Sequence, residues 1–244
     1  MERAMSPLEA VWTAKPAPEA REGLSLARIV GAAIEVADTD GLVAVSMSRV
    51  AKSLGFTTMS LYRHVANKEE LILHMQDAAV GPPPADLLTG QGWRSDLDRW
   101  AWAAVRKLRS HPWILQTLSM FGPPATPHQL SWFEYGLRAL GPTPLDENEK
   151  VSAILLIQAH SFADLTFHAA GAPTAIADAD PYETLFTRII DPARFPALMA
   201  AFSGGGFATT DDPEADRDWL YQFGLQRILD GVQVLIEQRL PGEA

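Results

Sequence analysis

Residues 41–68 read GLVAVSMSRVAKSLGFTTMSLYRHVANK. The stretch holds four basic residues, one histidine and no acidic residue, although the 244-residue chain has a formal net charge of -10. An acidic protein that keeps one segment free of carboxylates is expected to present it to a polyanion. The pattern also predicts two short helices joined by a tight turn, which is the layout of a helix-turn-helix DNA reader.

The apolar spacing on either side of this turn defines the two helices. The first starts from Ser46 or Ser48, and Gly55 supplies the positive φ that turns the chain. The second, capped at Thr57 or one residue later, extends to about Val65 and is the candidate recognition helix.

Two further helices enclose this pair. The upstream helix has Ser25 as its N-cap and Gly41 just past its end. Downstream, Asn67 caps a helix from Lys68 to about Val80, whose apolar face packs back on the other three. The head of the chain is therefore predicted to be entirely helical.

Three short segments together resemble the DNA-binding head of the tetracycline-repressor (TetR) family. The resemblance covers about residues 25–75 and rests on Leu54-Gly55-Phe56, Leu61-Tyr62-Arg63-His64-Val65 and Asn67-Lys68-Glu69-Glu70-Leu71. It implies an all-α protein with a three-helix helix-turn-helix head and a larger helical body for effector binding and dimerisation. It also implies a ligand-responsive transcriptional regulator that works as a homodimer. We expect a repressor that binds palindromic double-stranded operator DNA and is released by a small hydrophobic or aromatic effector, although the sequence does not show whether the effector releases DNA or promotes its binding.

The resemblance assigns Thr58, Met59 and Ser60, at the start of the candidate recognition helix, to base edges, with Ser48 as a possible fourth. It assigns Tyr62, His64 and Lys68 to phosphates. Lys68 lies where a helix dipole favours a phosphate, whereas Arg63 could reach a base or the backbone. The alternatives are that Tyr62 closes the small core and that His64 is a surface side chain. Arg49, Lys52 and Arg63 have the same alternative, a solvated helix face. The candidate DNA-binding residues are Ser46, Ser48, Thr57, Thr58, Met59, Ser60, Tyr62, Arg63, His64 and Lys68.

Composition divides the chain into three parts. Residues 1–22 contain several prolines and no sustained period, which favours a mobile or irregular arm. Residues 23–80 form the DNA-binding domain, and the break at Gly81-Pro82-Pro83-Pro84 leads into the body, residues 81–244. The body carries 12 basic and 20 acidic residues, so we expect it to point away from DNA.

The body alternates helical runs with proline and glycine breaks. The two longest runs are candidates for a dimer interface across a two-fold axis; the alternative is that their apolar stripes serve only the protomer's own core. The predicted helices are Trp93 to Arg109, a short run after Pro112, Pro127 to Leu140, Asp146 to Ala170, Tyr182 to Ile190, and Pro213 to Arg239, with a loop at Ser203 to Gly206.

Large aromatic side chains are dense between positions 93 and 167, which favours an apolar cavity for a drug-like or natural-product effector. For any single aromatic residue here, ordinary core packing is the alternative. The candidate effector-binding residues are Trp100, Trp113, Leu118, Phe121, Trp132, Tyr135, His160, Asp164 and Phe167.

A metal site is the less favoured interpretation of the polar residues in the body. His160, Asp164 and His168 share one helical face, but a polar strip that lines the pocket or the dimer seam is preferred. The run after Ser110-His111 lacks the histidine of the tetracycline-binding relative, which argues against a magnesium–tetracycline effector. No cofactor is predicted.

Other classes fit the sequence less well. The chain has no cysteine, no apolar run near 18 residues and no signal segment, so we expect a cytoplasmic protein with no membrane partner. It lacks a Gly-x-Ser-x-Gly elbow, a phosphate loop after a strand and a His-Glu-x-x-His motif, so an enzyme is not predicted. A small-molecule-binding helical dimer that does not regulate by binding DNA remains the main alternative, with an uncharacterised enzyme behind it.

Overall fold

The computed structural model describes residues 5–14, 23–121, 125–169, 190–206 and 210–240; residues 118, 119, 121, 168 and 169 are described by their backbone alone. Within these ranges the chain forms helices and turns and no strand, which confirms the predicted all-α class. The α-helices are α1 Pro7–Thr13, α2 Leu26–Asp40, α3 Met47–Leu54, α4 Thr58–Leu61, α5 Lys68–Val80, α6 Trp93–Ser110, α7 Ile114–Phe121, α8 Pro127–Leu140, α9 Glu147–Ala169, α10 Pro196–Ser203 and α11 Pro213–Arg239. Among them, none combines the length and hydropathy needed to span a bilayer.

Side-chain caps fix the helices of the head at the predicted residues. Ser25 caps α2, Ser46 caps α3, Thr57 caps α4 and Asn67 caps α5, and each side chain accepts a hydrogen bond from a backbone N–H in the first turn. Gly55 has φ 74°, the left-handed conformation that the turn between α3 and α4 requires. These local predictions are confirmed.

The recognition helix is shorter than predicted. Regular α-helix ends at Leu61, and a turn occupies the next three residues, instead of one helix reaching Val65. The cause is a tightened hydrogen bond, because the N–H of His64 donates to the carbonyl of Leu61 over 2.8 Å, three residues back rather than four.

The prediction of an irregular N-terminal arm is wrong for residues 7–13. A capping box of Ser6 and Glu9, with Pro7 at the first helical position, starts α1. The helix packs on α5, and the indole Nε1 of Trp12 donates to the carbonyl of Ala125, 3.0 Å away, just before α8. The N-terminal segment therefore connects the head to the body.

Helix α5 lies between the two parts of the molecule. It packs on α1 and α2 on the head side and on α6 and α8 on the body side, and its apolar side chains Leu71, Ile72 and Met75 are fully buried. Gly81, at φ 60°, ends the helix and turns the chain toward α6.

In the body, α6, α8, α9 and α11 pack around a core that includes Leu97, Trp100, Ile154 and Leu225. Helix α10 was not predicted, and it precedes the predicted glycine turn at 204–206. The helix predicted from Tyr182 to Ile190 lies outside the described residues except for its last position.

Candidate DNA-binding surface and effector cavity

The candidate DNA-binding surface comprises the start of α3, the α4 segment with its Thr57 cap and the turn that follows, and Lys68 at the start of α5. The hydroxyl of Thr57 accepts from the N–H of Ser60 over 3.3 Å and lies 2.9 Å from the Ser60 hydroxyl. The hydroxyls of Ser46 and Ser48 are 3.2 Å apart at the start of α3. Both helices thus present hydroxyl groups at their N-termini, where side chains can reach base edges in a major groove.

The α4 segment turns its largest side chains outward. Met59 is 73% exposed and Tyr62 is 46% exposed, whereas Leu61 and Val65 are buried and hold the segment against the head. The exposure of Tyr62 argues against the alternative that this ring closes the small core. Arg63 and His64 are exposed beside it, which leaves their side chains accessible to a partner.

The basic residues of the surface differ in their partners. Lys68 begins α5, directly after the Asn67 cap, at the positive end of the helix dipole. Arg49 forms an ion pair with Asp40 at the end of α2, so its charge is partly neutralised within the protomer. Lys68 is therefore the better candidate for a phosphate, and Arg49 fits its interpretation as a surface side chain.

A cavity in the body lies among α5, α6, α7, α8 and α9. Its walls are mostly apolar and include Val80, Trp100, Ile114, Trp132 and Phe162. It encloses about 60 Å³, whereas pockets for drug-sized ligands measure roughly 300–1,000 Å³. A ligand of that size requires the surrounding helices to move apart.

The structure brings two of the predicted effector residues, Trp100 and Trp132, to this cavity. Both indole N–H groups are already used, because Trp100 donates to the carbonyl of Trp132 over 2.8 Å and Trp132 donates to the carbonyl of Gly81 over 2.9 Å. The two rings therefore offer a ligand apolar surface rather than hydrogen-bond donors. The second bond also joins the cavity wall to the end of α5.

Three predicted effector residues lie elsewhere. The indole of Trp113 donates to the carboxylate of Asp38 on α2, 2.7 Å away, which connects the body to the head. The ring of Tyr135 lies under the guanidinium of Arg138, and Phe167 is 78% exposed. The side chains of Leu118 and Phe121, also predicted, lie outside the described residues.

Asp164 belongs to an ion-pair network rather than to the cavity wall. Its carboxylate accepts two hydrogen bonds of 3.0 Å from Arg109 on α6. It also accepts one of 2.7 Å from Nη2 of Arg217 on α11, whose Nε is shared between the two oxygens at 3.3 and 3.2 Å. Burial raises the pKa of this carboxyl, but the hydrogen bonds and charges of the two arginines outweigh burial and lower the pKa overall. Asp164 thus ties three helices together as an anion.

His160 lies beside this network and also points away from the cavity. Its Nε2 is 2.9 Å from the carbonyl of Tyr221, and the two rings stack with centroids 4.8 Å apart. The hydroxyl of Tyr221 contacts Ser161 and Ala101, and burial raises the pKa of this phenol. The polar strip predicted here therefore joins α6, α9 and α11 within one protomer.

No group of three or more His, Asp or Glu side chains that could hold a metal ion occurs within the described part of the chain. The side chain of His168, the third member of the possible metal set, is not among the described residues.

Sequence reasoning missed nine of the eleven residues that line the cavity, among them Lys107, Gln129, Gln158 and Phe162. They occupy helices that were predicted, but the face each helix turns inward depends on how the helices pack. The aromatic density that suggested a pocket gave no signal for the lysine or the two amides.

Two helices leave an apolar face uncovered on the protomer. Leu155 and Leu156 on α9, and Leu220, Phe223 and Val234 on α11, are each at least half exposed. A groove of about 600 Å³ between the helices adjoins this face. The apolar stripe predicted on α11 does not form this face, because most of its residues are buried in the protomer's own core.

Contacts along α5 and α2 connect the surface of the head to the body. Gln76 on α5 donates to the hydroxyl of Thr117 on α7, and Asp77 accepts from the N–H of His128 on α8 over 2.7 Å. Val80, in the last turn of α5, forms part of the cavity wall. A change in the cavity can therefore reach the helix that carries Lys68 at its other end.

Family models cover most of the chain. One described as "Bacterial regulatory proteins, tetR family" matches residues 29–75, and one described as "Tetracyclin repressor-like, C-terminal domain" matches residues 87–236. The HTH-type transcriptional repressor DrrR1 of Streptomyces coeruleorubidus is 36% identical over an alignment of 243 residues, gaps included, which covers 95% of this chain and 86% of that protein. An HTH-type transcriptional regulator of Saccharopolyspora erythraea is 33% identical over 133 residues, 54% of this chain and 56% of that protein.

Solved structures share the fold. ActR from Streptomyces coelicolor superimposes with a TM-score of 0.70 at 22% identity, both without ligand and in complex with actinorhodin. The matches cover 90% and 91% of this chain and 99% of the ActR chain. At this identity the likeness concerns the arrangement of the helices.

Proposed function

Because the chain belongs to the tetR family of bacterial regulatory proteins and is a DNA-binding transcriptional regulator, we propose that it represses transcription as a homodimer on palindromic operator DNA and that a small hydrophobic effector releases it. The observation that carries the proposal is the exposed α3–α4 surface, which offers hydroxyls, Met59 and basic groups from a segment without a single carboxylate. The rest of the molecule is acidic and is repelled by DNA.

On this surface the roles divide by position. The hydroxyls of Ser48, Thr58 and Ser60, together with Met59, meet base edges, and Ser46 and Thr57 orient the two helix starts as caps. The phosphate contacts come from the groups that lie farther from the groove floor, Tyr62, Arg63, His64 and Lys68. Phosphate contacts set the register on the duplex, and base contacts supply the sequence preference.

Dimerisation uses the uncovered apolar face of α9 and α11. Large apolar side chains that are half exposed on two adjacent helices favour burial against a second copy related by a two-fold axis. Two recognition helices must lie about 34–36 Å apart to enter successive major grooves, so a dimer of fixed spacing is needed for a palindrome. A small change in spacing is then enough to abolish simultaneous binding.

Effector binding acts through α5. A ligand that enters the cavity presses on Val80 and on Trp132, and the latter is bonded to the carbonyl at the end of α5. The cavity is too small for a drug-sized ligand as it stands, so the ligand favours a state in which these helices are displaced. A hundredfold loss of operator affinity requires about 2.7 kcal/mol of coupling between the two sites.

The proposal extends to the organisation of the chain. Residues 23–80 form the DNA-binding domain and residues 81–244 the effector and dimerisation domain, and α1 within residues 1–22 bridges them. The protein acts by binding alone, without catalysing a reaction, and it does so in the cytoplasm, where its operator DNA is found. Support comes from the family matches, which stop and start on either side of the break at residues 81–84.

The test is fluorescence anisotropy of the purified protein on DNA from upstream of its own gene, against a scrambled duplex of equal length, over a salt series. Tight binding that prefers the native duplex and weakens steeply with salt supports the proposal. A folded dimer that binds both duplexes equally, and that selects no sequence from a randomised pool, contradicts it.

A further inference from the structure

We propose that the effector is an anion, a flat hydrophobic molecule with an acidic group, and that Lys107 at the cavity binds that group. The inference rests on the proposed function, since it concerns the ligand of the same cavity. Its starting point is charge: Lys107 is the one charged residue among those that line the cavity in the described part of the chain, and no carboxylate lines it.

Lys107 stands apart from the other cations of the body. Six of them form ion pairs, for example Arg109 and Arg217 with Asp164, and others are placed over aromatic rings, as Arg138 is over Tyr135. Within the described ranges, Lys107 has no ion pair, hydrogen bond or ring contact, although it belongs to an acidic body. Lys107 lines an apolar cavity and is exposed to solvent, so its charge is available to a negatively charged ligand.

Gln129, a second polar residue at the cavity, also favours an acceptor on the ligand. The side-chain oxygen of Gln129 is used by the N–H groups of Ala125 and Thr126, both at 3.1 Å, which leaves its amide N–H₂ as a donor. The Ser161 hydroxyl donates to the carbonyl of Ile157 over 3.1 Å. The Ser161 proton is therefore not available to a ligand, whereas the amide N–H₂ of Gln129 is a donor that an acidic group can use.

The aromatic residues that line the cavity restrict the shape of the apolar part of the ligand. Trp100, Trp132 and Phe162 line a cavity of about 60 Å³, and neither indole N–H is available for bonding. Such walls favour a planar ring system, which buries apolar area while its acidic substituent remains at the edge beside Lys107. A ligand with a cationic group has no carboxylate partner among the described lining residues.

The experiment uses two fluorescent probes with one ring skeleton. The anion 8-anilinonaphthalene-1-sulfonate and the neutral N-phenyl-1-naphthylamine differ only by the sulfonate, and both become brighter in apolar surroundings. Binding of each is titrated to the full chain as a dimer and to Lys107→Met, which keeps the length of the side chain and removes its charge. The matched control is Lys150→Met, which removes a lysine paired with Glu147 on α9.

We expect Lys107→Met to weaken binding of the sulfonate probe roughly five- to tenfold and to leave the neutral probe unchanged, as for a charged hydrogen bond at a partly solvated site. Lys150→Met should change neither. The proposal is overturned if both probes bind and Lys107→Met affects them equally or not at all.

A substitution of an apolar residue that lines the cavity distinguishes failure of this proposal from failure of the proposed function. Phe162→Ala should weaken both probes, because it removes apolar surface that either one contacts. If Phe162→Ala weakens binding of both probes and Lys107→Met does not selectively weaken binding of the sulfonate probe, the cavity is a ligand site but the proposal of an anionic effector is wrong. If neither probe binds, or Phe162→Ala leaves both unchanged, the cavity is not the site and both the anion and the effector site of the proposed function are overturned.

Discussion

Replacing Asp164 by Asn removes the charge at the centre of the network that joins α6, α9 and α11, while keeping the size of the side chain. The carboxylate is 3% exposed, and its two guanidinium partners are 16% and 21% exposed. Removing one partner of a buried ion pair costs about 3–5 kcal/mol. Arg109 keeps its second carboxylate, Asp218, and water reaches both arginines, so we expect a loss of about 2–3 kcal/mol from the free energy of unfolding.

Thermal unfolding at matched protein concentration measures this loss. For a chain of this size, it corresponds to a Tm lower by roughly 4–12 °C. Asp218→Asn is the control, because it removes a carboxylate from the same Arg109 at a position that is half exposed, and it should cost less than about 1 kcal/mol. Probe binding to the cavity should be nearly unchanged in both variants.

The contribution of Asp164 to the free energy of unfolding should also depend on pH. Its folded-state pKa is lowered below the ordinary value of 3.8, so the stabilisation is complete above that value and is lost as the pH falls through the folded-state pKa. The Tm difference between the wild type and Asp164→Asn should therefore narrow from about pH 5 to about pH 3. A variant that melts like the wild type at neutral pH, or one that loses probe binding at unchanged stability, would refute the network and return Asp164 to the role of a ligand-binding residue.

Three further changes test the head, the dimer face and the packing of α11. In anisotropy titrations, Lys68→Ala should weaken operator binding about tenfold for every sequence and reduce the slope of log affinity against log salt concentration by about 1 per protomer. The affinity for the cavity probes should not change, and an equal loss of DNA and probe affinity would contradict the assignment. Leu156→Glu, on the uncovered face of α9, should shift the protein from dimer to monomer in light scattering and abolish operator binding, and an intact dimer would count against that face. Gly224→Ala places a Cβ against the imidazole of His160, 2.7 Å from its Nε2, so Tm should fall by the equivalent of about 1–3 kcal/mol. An unchanged Tm would show that the ring moves aside without cost.

The head was predictable from the sequence because its helix ends depend on neighbouring residues. Ser46 and Asn67 each bond to a backbone N–H three residues ahead, and Gly55 turns the chain where only glycine is relaxed. The same kind of signal was present in Ser6-Pro7-Leu8-Glu9 and was passed over, because a proline-rich arm was expected there. The early end of α4 depends on a hydrogen bond at Leu61 that residue types alone do not reveal.

The cavity was only partly predictable, because its lining depends on contacts between distant parts of the chain. Trp100 and Trp132 face it, whereas Trp113, with the same chemistry, bonds to Asp38 on a head helix 75 positions away. A helical pattern shows that one face is apolar, but it does not show which neighbour that face meets. Lys107 was missed for this reason, since a lysine on a helix is most often a solvated surface residue.

The bond from Trp12 to Ala125 has a consequence for synthesis, because the two residues are 113 positions apart. At roughly 5–20 residues per second, Ala125 is made about 6–23 s after Trp12. All residues of the head, from 23 to 80, are made within that interval. Helix α1 can therefore pack on α5 while the carbonyl that the Trp12 indole binds has not yet been made. The DNA-binding domain is thus synthesised in full before the hydrogen bond between Trp12 and Ala125 can connect it to the effector-binding body.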